Sequence, residues 1–170
     1  MPLDVIVVRK LGVPSQPELG MGAVGEQGIR VLDESLIHLV RVSPADVAAV
    51  ERRERAEVER RAARYRSGRP MTALADRTVI IVDDGLATGG TARAAIGVAR
   101  AHGARRVVLA VPVAPPEAVA DLGRVADEVI ALATPSPFGS VGQWYREFSQ
   151  TSDNDVVRLL AAAARGAADD

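Results

Sequence analysis

VIIVDDGLATGGTARA, residues 79–94, decides the fold. Val79 to Val82 are four apolar, largely β-branched residues, and with Thr78 and Asp83 they read as a short strand driven into a core. Asp83 and Asp84 then emerge together at its end. Burying two unpaired carboxylates is costly, so both are expected to face a solvated crevice. Gly85-Leu86-Ala87-Thr88-Gly89-Gly90-Thr91 follows, small residues with two hydroxyls, leading into a helix from Thr91 to His102 that Gly103 closes. A tight turn with helix-capping aspartates would use the same glycines. A helix N-terminus reached through such a turn also offers free N–H groups and a favourable dipole to a phosphate. The neighbouring carboxylates suit hydroxyls a few ångströms from that phosphate, as in a ribose 5-phosphate.

Outward from this stretch the chain alternates. Strand 106–112, a helix from Pro116 and strand 127–133 complete a βαβαβ run, which implies parallel strands, right-handed crossovers and helices covering the sheet. Ligands in such sheets bind outside the carboxyl ends of the strands, where Asp83 and Asp84 stand. Upstream, DVIVVR (4–9) reads as a buried strand broken by Gly12 and Pro14, with a loop running on to Gly20. Residues 21–32 read as a hairpin turning at Gln27 and Gly28. Ser43-Pro44-Ala45-Asp46 places a capping hydroxyl, a first-turn proline and an acid, so a helix starts there and runs to about Tyr65. Val47, Val50, Val58 and Tyr65 form its thin apolar stripe, and alternating Glu and Arg make the rest a solvated surface. A last helix starts at Ser152, and the tail after Arg165 is expected to fray. The expected class is α/β: an open, mostly parallel sheet flanked by helices, with a small β hairpin and a long charged helical insertion (43–66), all in a single domain of residues 1–170.

Composition narrows the partners. A net charge of -1 gives no electrostatic footprint for a nucleic-acid backbone, and the absence of cysteine excludes disulfides, thiolate metal sites and cysteine nucleophiles. No run of residues is long and apolar enough to span a bilayer, and MPLDVIVVRK lacks the pattern of a signal peptide, so a cytoplasmic protein acting on small molecules is expected. Among 21 basic residues Lys10 is the only lysine.

There is no Gly-Lys followed by Ser or Thr, as a P-loop requires, and no G-x-G-x-x-G. The string VIIVDDGLATGGT instead resembles the phosphoribosyl pyrophosphate (PRPP) signature of type I phosphoribosyltransferases: apolar strand, two acids, short spacer, then T-G-x-T. The whole pattern looks closest to bacterial phosphoribosyltransferases with a long charged helical insertion. The resemblance implies that Asp83 and Asp84 hold the ribose hydroxyls, directly or through Mg²⁺, and that Ala87, Thr88, Gly89, Gly90 and Thr91 bind the 5-phosphate. Relatives acting on hypoxanthine and guanine carry a third acid where this chain has Ala87, which disfavours a 6-oxopurine and leaves adenine and non-purine acceptors open. DVIVVRKLGVP (4–14) looks like the family's second strand, whose end turns Arg9 and Lys10 toward the pyrophosphate, with Leu11 to Gly20 as a mobile lid. The family's hood over the acceptor falls on 134–150, where Phe138, Trp144, Tyr145 and Phe148 make four of the chain's five aromatics; Phe138, Trp144 and Tyr145 are the candidates to stack on a nucleobase.

The implied reaction displaces pyrophosphate from C1 of PRPP by a nitrogen nucleophile, a nucleobase for example. The alternative is a PRPP-sensing or noncatalytic binding protein with the same site. A type I phosphoribosyltransferase normally has a βα unit before the strand matched by 4–9, and the loop ending that first strand holds the pyrophosphate. Its absence here predicts weak pyrophosphate binding, low activity and an exposed sheet that a homodimer covers.

Overall fold

The expected strand at the centre of the motif is present, and what lies beside it sets the architecture. In the computed structural model, which describes residues 2–166, β4 (Thr78–Val82), β5 (Arg106–Val113) and β6 (Glu128–Ala133) form a parallel sheet in the order β4-β5-β6. Helices α3 (Gly90–Ala101) and α4 (Pro116–Leu122) make the crossovers. Because the strands advance in one direction, right-handed crossovers put both helices on one face. Ala92, Ile96 and Ala99 of α3 and Ala118 and Leu122 of α4 accordingly share one core with Val107, Leu109 and Val111 of β5. The other face is bare: Ile80, Val82, Ile130 and Leu132 are 48%, 75%, 43% and 82% exposed. The expectation that Val79 to Val82 all enter the core is corrected, since only alternate residues do, as the period-2 geometry of a strand with one covered face requires.

The N-terminal half differs more from its reading. The first strand is β1, Val8–Val13, not 4–9, and it pairs antiparallel with β2, Gln16–Gly25, around a turn at Pro14 and Ser15. Leu11 to Gly20 form a paired hairpin in place of the expected open loop: Gly12 and Gly20 are paired across a bulge in the ladder, where irregular register uses glycines that sequence reading takes for breakers. A Cβ on Gly12 would lie 2.4 Å from the Pro17 carbonyl oxygen. The second hairpin is where it was expected, β2 turning through Glu26–Gly28 into β3 (Arg30–Leu32). Helix α1 (Glu34–Leu39), capped by Asp33, went unread because its six residues carry too little periodicity.

Helix α2 (Pro44–Arg66) begins as expected, with the Ser43 hydroxyl accepting from the Asp46 N–H, a cap worth about 1 kcal/mol. Its stripe of Val47, Val50, Val58 and Tyr65 packs into a second core with Leu11, Val13, Met21 and Val24. Glu54 and Arg66 are buried with it, so the helix is less solvated than its charges suggest. Arg66 donates to Asp4, to both oxygens of Glu26 and to the Val5 carbonyl. That one guanidinium ties Asp4 and Val5, which have no sheet partner, to Glu26, whose carboxylate also accepts from the Val7 N–H. Helix α5 (Asp153–Gly166) closes the second core with Leu160, and the Tyr65 hydroxyl donates to Asp153 at 2.7 Å. Of the tail expected to fray after Arg165, Gly166 is the last residue of α5 and the rest lies outside the described residues.

The antiparallel sheet lies against the outer side of α3, where a Cβ on Gly25 would come within 2.7 Å of Val98, and α2 covers its other face. The layers are parallel sheet, α3 with α4, antiparallel sheet, then α2 with α5. Among the described residues no helix is long and apolar enough to cross a membrane.

Candidate functional site

At the carboxyl end of β4 the chain leaves the sheet with two acids of different setting. Asp83 is half-buried and Asp84 is exposed. The Asp84 N–H donates to Asp83 Oδ1 at 2.9 Å. Burial pushes the Asp83 carboxyl above its ordinary value and the charge of Asp84 adds to this, against the opposing effect of that N–H. Neither acid forms a salt bridge among the described residues.

The turn that follows is held from behind. Leu86 is buried, and its N–H donates to the Val113 carbonyl at 3.0 Å. Gly85 is pressed between the end of β5 and the segment after β6: a Cβ there would meet Val141 at 2.7 Å and Val113 at 3.0 Å. Gly89 caps α3 in the left-handed region, φ 75°, and a Cβ would lie 3.0 Å from Leu122 Cδ1, so both its conformation and its space call for glycine. Ala87, Thr88 and Thr91 are exposed around it. No side chain caps α3. Its first N–H groups, which a helix cannot satisfy internally, therefore have no side-chain cap, and the exposed Thr88 and Thr91 flank that end; a helix N-terminus of this kind can receive an anion.

The remaining candidates are placed differently. Arg9 turns to α2, where its Nε donates to the buried Glu54 carboxylate at 2.9 Å and Arg53 shares that carboxylate. Lys10 reaches back along the hairpin to the Glu18 carbonyl. Both cations are thus engaged away from Asp83 and Asp84. A concave region lined by Arg9, Arg53, Glu54, Glu57 and Arg60 lies on α2, and the turn from Asp83 to Thr91 is not part of it.

Of the aromatics, Tyr145 meets the site: its hydroxyl donates to the Asp84 carbonyl at 2.6 Å. It follows a 3-10 turn, Val141–Trp144, and its ring centroid is 5.2 Å from that of Phe148. Trp144 is 47% exposed and Phe138 partly buried. Sequence reasoning brought Tyr145 to the right neighbourhood as a stacking ring but missed its hydroxyl, since no spacing rule links positions 61 residues apart. The Glu54 contact was equally invisible, one acid among many on a charged helix.

No group of three or more His, Cys, Asp or Glu side chains among the described residues could hold a metal. The Asp83–Asp84 pair suits a hard cation that takes its other ligands from water and a bound phosphate ester.

Residues 23–133 match the family model of the phosphoribosyl transferase domain. Proteins from two strains of Mycobacterium tuberculosis, each named "Putative phosphoribosyl transferase", are 56% identical over 164 residues, 96% of this chain and 37% of theirs. The chain thus spans little more than a third of the length of these relatives. A uracil phosphoribosyltransferase of Clostridioides difficile is 43% identical over 56 residues, covering 33% of this chain and 27% of that one. A crystal structure of a Thermus thermophilus protein superposes with a TM-score of 0.75 at 43% identity, over 95% of this chain and 76% of that one.

Proposed function

The chain belongs to the phosphoribosyl transferase family, and from that premise we propose that it binds Mg²⁺-PRPP at the turn from Asp83 to Thr91 and transfers the 5-phosphoribosyl group to a nitrogen nucleophile such as a nucleobase, releasing pyrophosphate. One observation carries the reading: the uncapped N-terminus of α3, with the Thr88 and Thr91 hydroxyls beside it, lies seven residues or fewer from two carboxylates that lack a cation. Ala87 to Thr91 take the 5-phosphate, and Asp83 and Asp84 take the ribose hydroxyls or the metal. Burial first, and the charge of Asp84 to a lesser degree, hold the Asp83 carboxyl above its ordinary value, and a divalent ion beside the pair would favour the ionised form. When bound, Mg²⁺ supplies positive charge against the pyrophosphate oxygens. The two carboxylates supply negative charge near the ribose ring, which turns cationic as the bond to pyrophosphate breaks. No covalent nucleophile is required. Ala87 argues against a 6-oxopurine held by an acid at that position, so the acceptor panel begins with adenine and pyrimidine bases.

Calorimetry tests this. Thr88→Ala and Thr91→Ala weaken PRPP binding, and Asp83→Asn with Asp84→Asn weakens Mg²⁺-PRPP more than inorganic phosphate. Unchanged PRPP affinity in both threonine variants removes the phosphate site, and equal losses in the aspartate variant reduce the acids to shaping the loop.

A second reading, a PRPP-sensing or noncatalytic binding protein, is favoured by the engagement of Arg9 with Glu54 and of Lys10 with Glu18, which leaves the leaving group without those two cations. Binding without turnover across the panel selects it.

A further inference from the structure

The segment after β6 bears on the carboxylate turn at two adjacent points. Val141 packs on Gly85 so closely that a Cβ there would fall 2.7 Å from Val141 Cγ1. Four residues on, the Tyr145 hydroxyl donates to the Asp84 carbonyl at 2.6 Å. Both contacts fall on one peptide unit, the link between Asp84 and Gly85. The Val141–Trp144 turn that spaces them is closed by the Tyr145 N–H donating to the Gly142 carbonyl at 3.2 Å. Phe148 sets the Tyr145 ring from the far side: its centroid is 5.2 Å away, and its edge lies over Gly142, where a Cβ would come within 2.8 Å. Tyr145 therefore has little freedom to swing out and stack on a ligand while its hydroxyl bond is made.

We infer that Tyr145 is a positioning residue, whose hydroxyl clips the segment 141–145 to the Asp84–Gly85 peptide and so holds the two carboxylates in the geometry that receives the ribose. The inference rests on the reading of Asp83 and Asp84 given above. It assigns the hydroxyl a task separate from the stacking suggested by the aromatic ring. It also makes the segment over the acceptor and the carboxylate turn move together: withdrawing the one releases the peptide that aims the other. The 5-phosphate turn lies beyond this link, anchored by Leu86 on Val113 and Gly89 on Leu122, and does not share in it.

Tyr145→Phe keeps the ring and removes the hydroxyl. Losing one hydrogen bond of this kind is expected to weaken Mg²⁺-PRPP about fivefold while inorganic phosphate affinity stays within about twofold. Amide exchange at Asp84 speeds up in the same variant, while that at Leu86, held on Val113, does not. A variant that matches the parent in Mg²⁺-PRPP affinity overturns the inference and leaves Tyr145 a stacking ring, and equal losses for both ligands overturn it as a general loosening. If the parent protein binds neither PRPP nor phosphate, the reading of the site fails by itself, and amide exchange still decides: an unchanged rate at Asp84 rejects the clip.

Discussion

The two three-stranded sheets are built from the same kinds of residue and end in opposite situations. In the antiparallel sheet, Leu11, Met21 and Val24 are fully buried, because α3 lies on one face and α2 on the other. In the parallel sheet, Leu109 is fully buried on the face shared by α3 and α4, while Leu132 on the opposite face is 82% exposed. Hydrophobic strands alone do not decide burial; the direction in which the crossovers advance does. Parallel sheets are found almost only with both faces covered. The bare face is therefore where the molecule departs from its class, and where association is expected.

The covered half breaks most sharply at Arg66. Arg66→Met leaves Asp4 and Glu26 without their shared cation, and urea unfolding should show a loss of about 3–5 kcal/mol, the cost of an unpaired buried charge. A loss under about 1 kcal/mol would mean that water already reaches the cluster.

Within the parallel sheet the two faces can be set against each other. Leu109→Ala is expected to cost about 2–5 kcal/mol, and Leu132→Ala less than about 0.5 kcal/mol in a monomer. Similar costs at both sites would show that something covers Leu132 in solution. That is the expected outcome at high concentration, because the purified chain should sediment as a dimer or larger. Leu132→Asp should then shift it toward monomer with little change in thermal stability measured on dilute protein. A parent chain that stays monomeric rejects association through this face.

The finest contrast is in two carboxylates, one for each half, that shift in opposite directions. Burial opposes ionisation of Asp4, but the N–H groups of Thr72 and Val5 and the Arg66 guanidinium outweigh it and hold its carboxyl below the usual range. Asp83 lies above it. The Asp4 contribution is fully present above the unfolded value, about pH 4, and is lost as pH falls through its lower folded value. For Asp83 the sign reverses: its contribution is present below about pH 4 and lost as pH rises through its folded value. Carboxyl titration by NMR should give the Asp4 midpoint below that of Asp83, and Mg²⁺ should lower only the latter. The opposite order would mean that the Arg66 cluster is open in solution.

Much of this was legible in the sequence, unevenly and for physical reasons. The parallel half could be read almost to the residue, because each strand is a continuous apolar run and each helix begins at a proline or a glycine turn. The start of α2 was equally plain from Ser43 and Pro44. The β1–β2 hairpin was not, because Gly12, Pro14, Gly20 and Gly22 carry the signature of a loop while serving a bulged ladder. In the site, the order of Asp83, Asp84 and the glycine turn is a local pattern and could be read. The partners of Arg9, Lys10 and Tyr145 lie 8 to 61 residues away and belong to packing.

Gly89 has a consequence for anyone who would transplant this turn. Its left-handed cap rests on Leu122, which belongs to the next crossover unit and not to the motif itself. Residues 79–91 spliced into a foreign sheet would carry every letter of the pattern and lack the wall behind it. The turn could then slump toward the space Leu122 fills here, and the α3 N–H groups would no longer converge. The smallest portable unit accordingly runs from β4 through α4, and a graft should be judged by whether it brings Leu122 along.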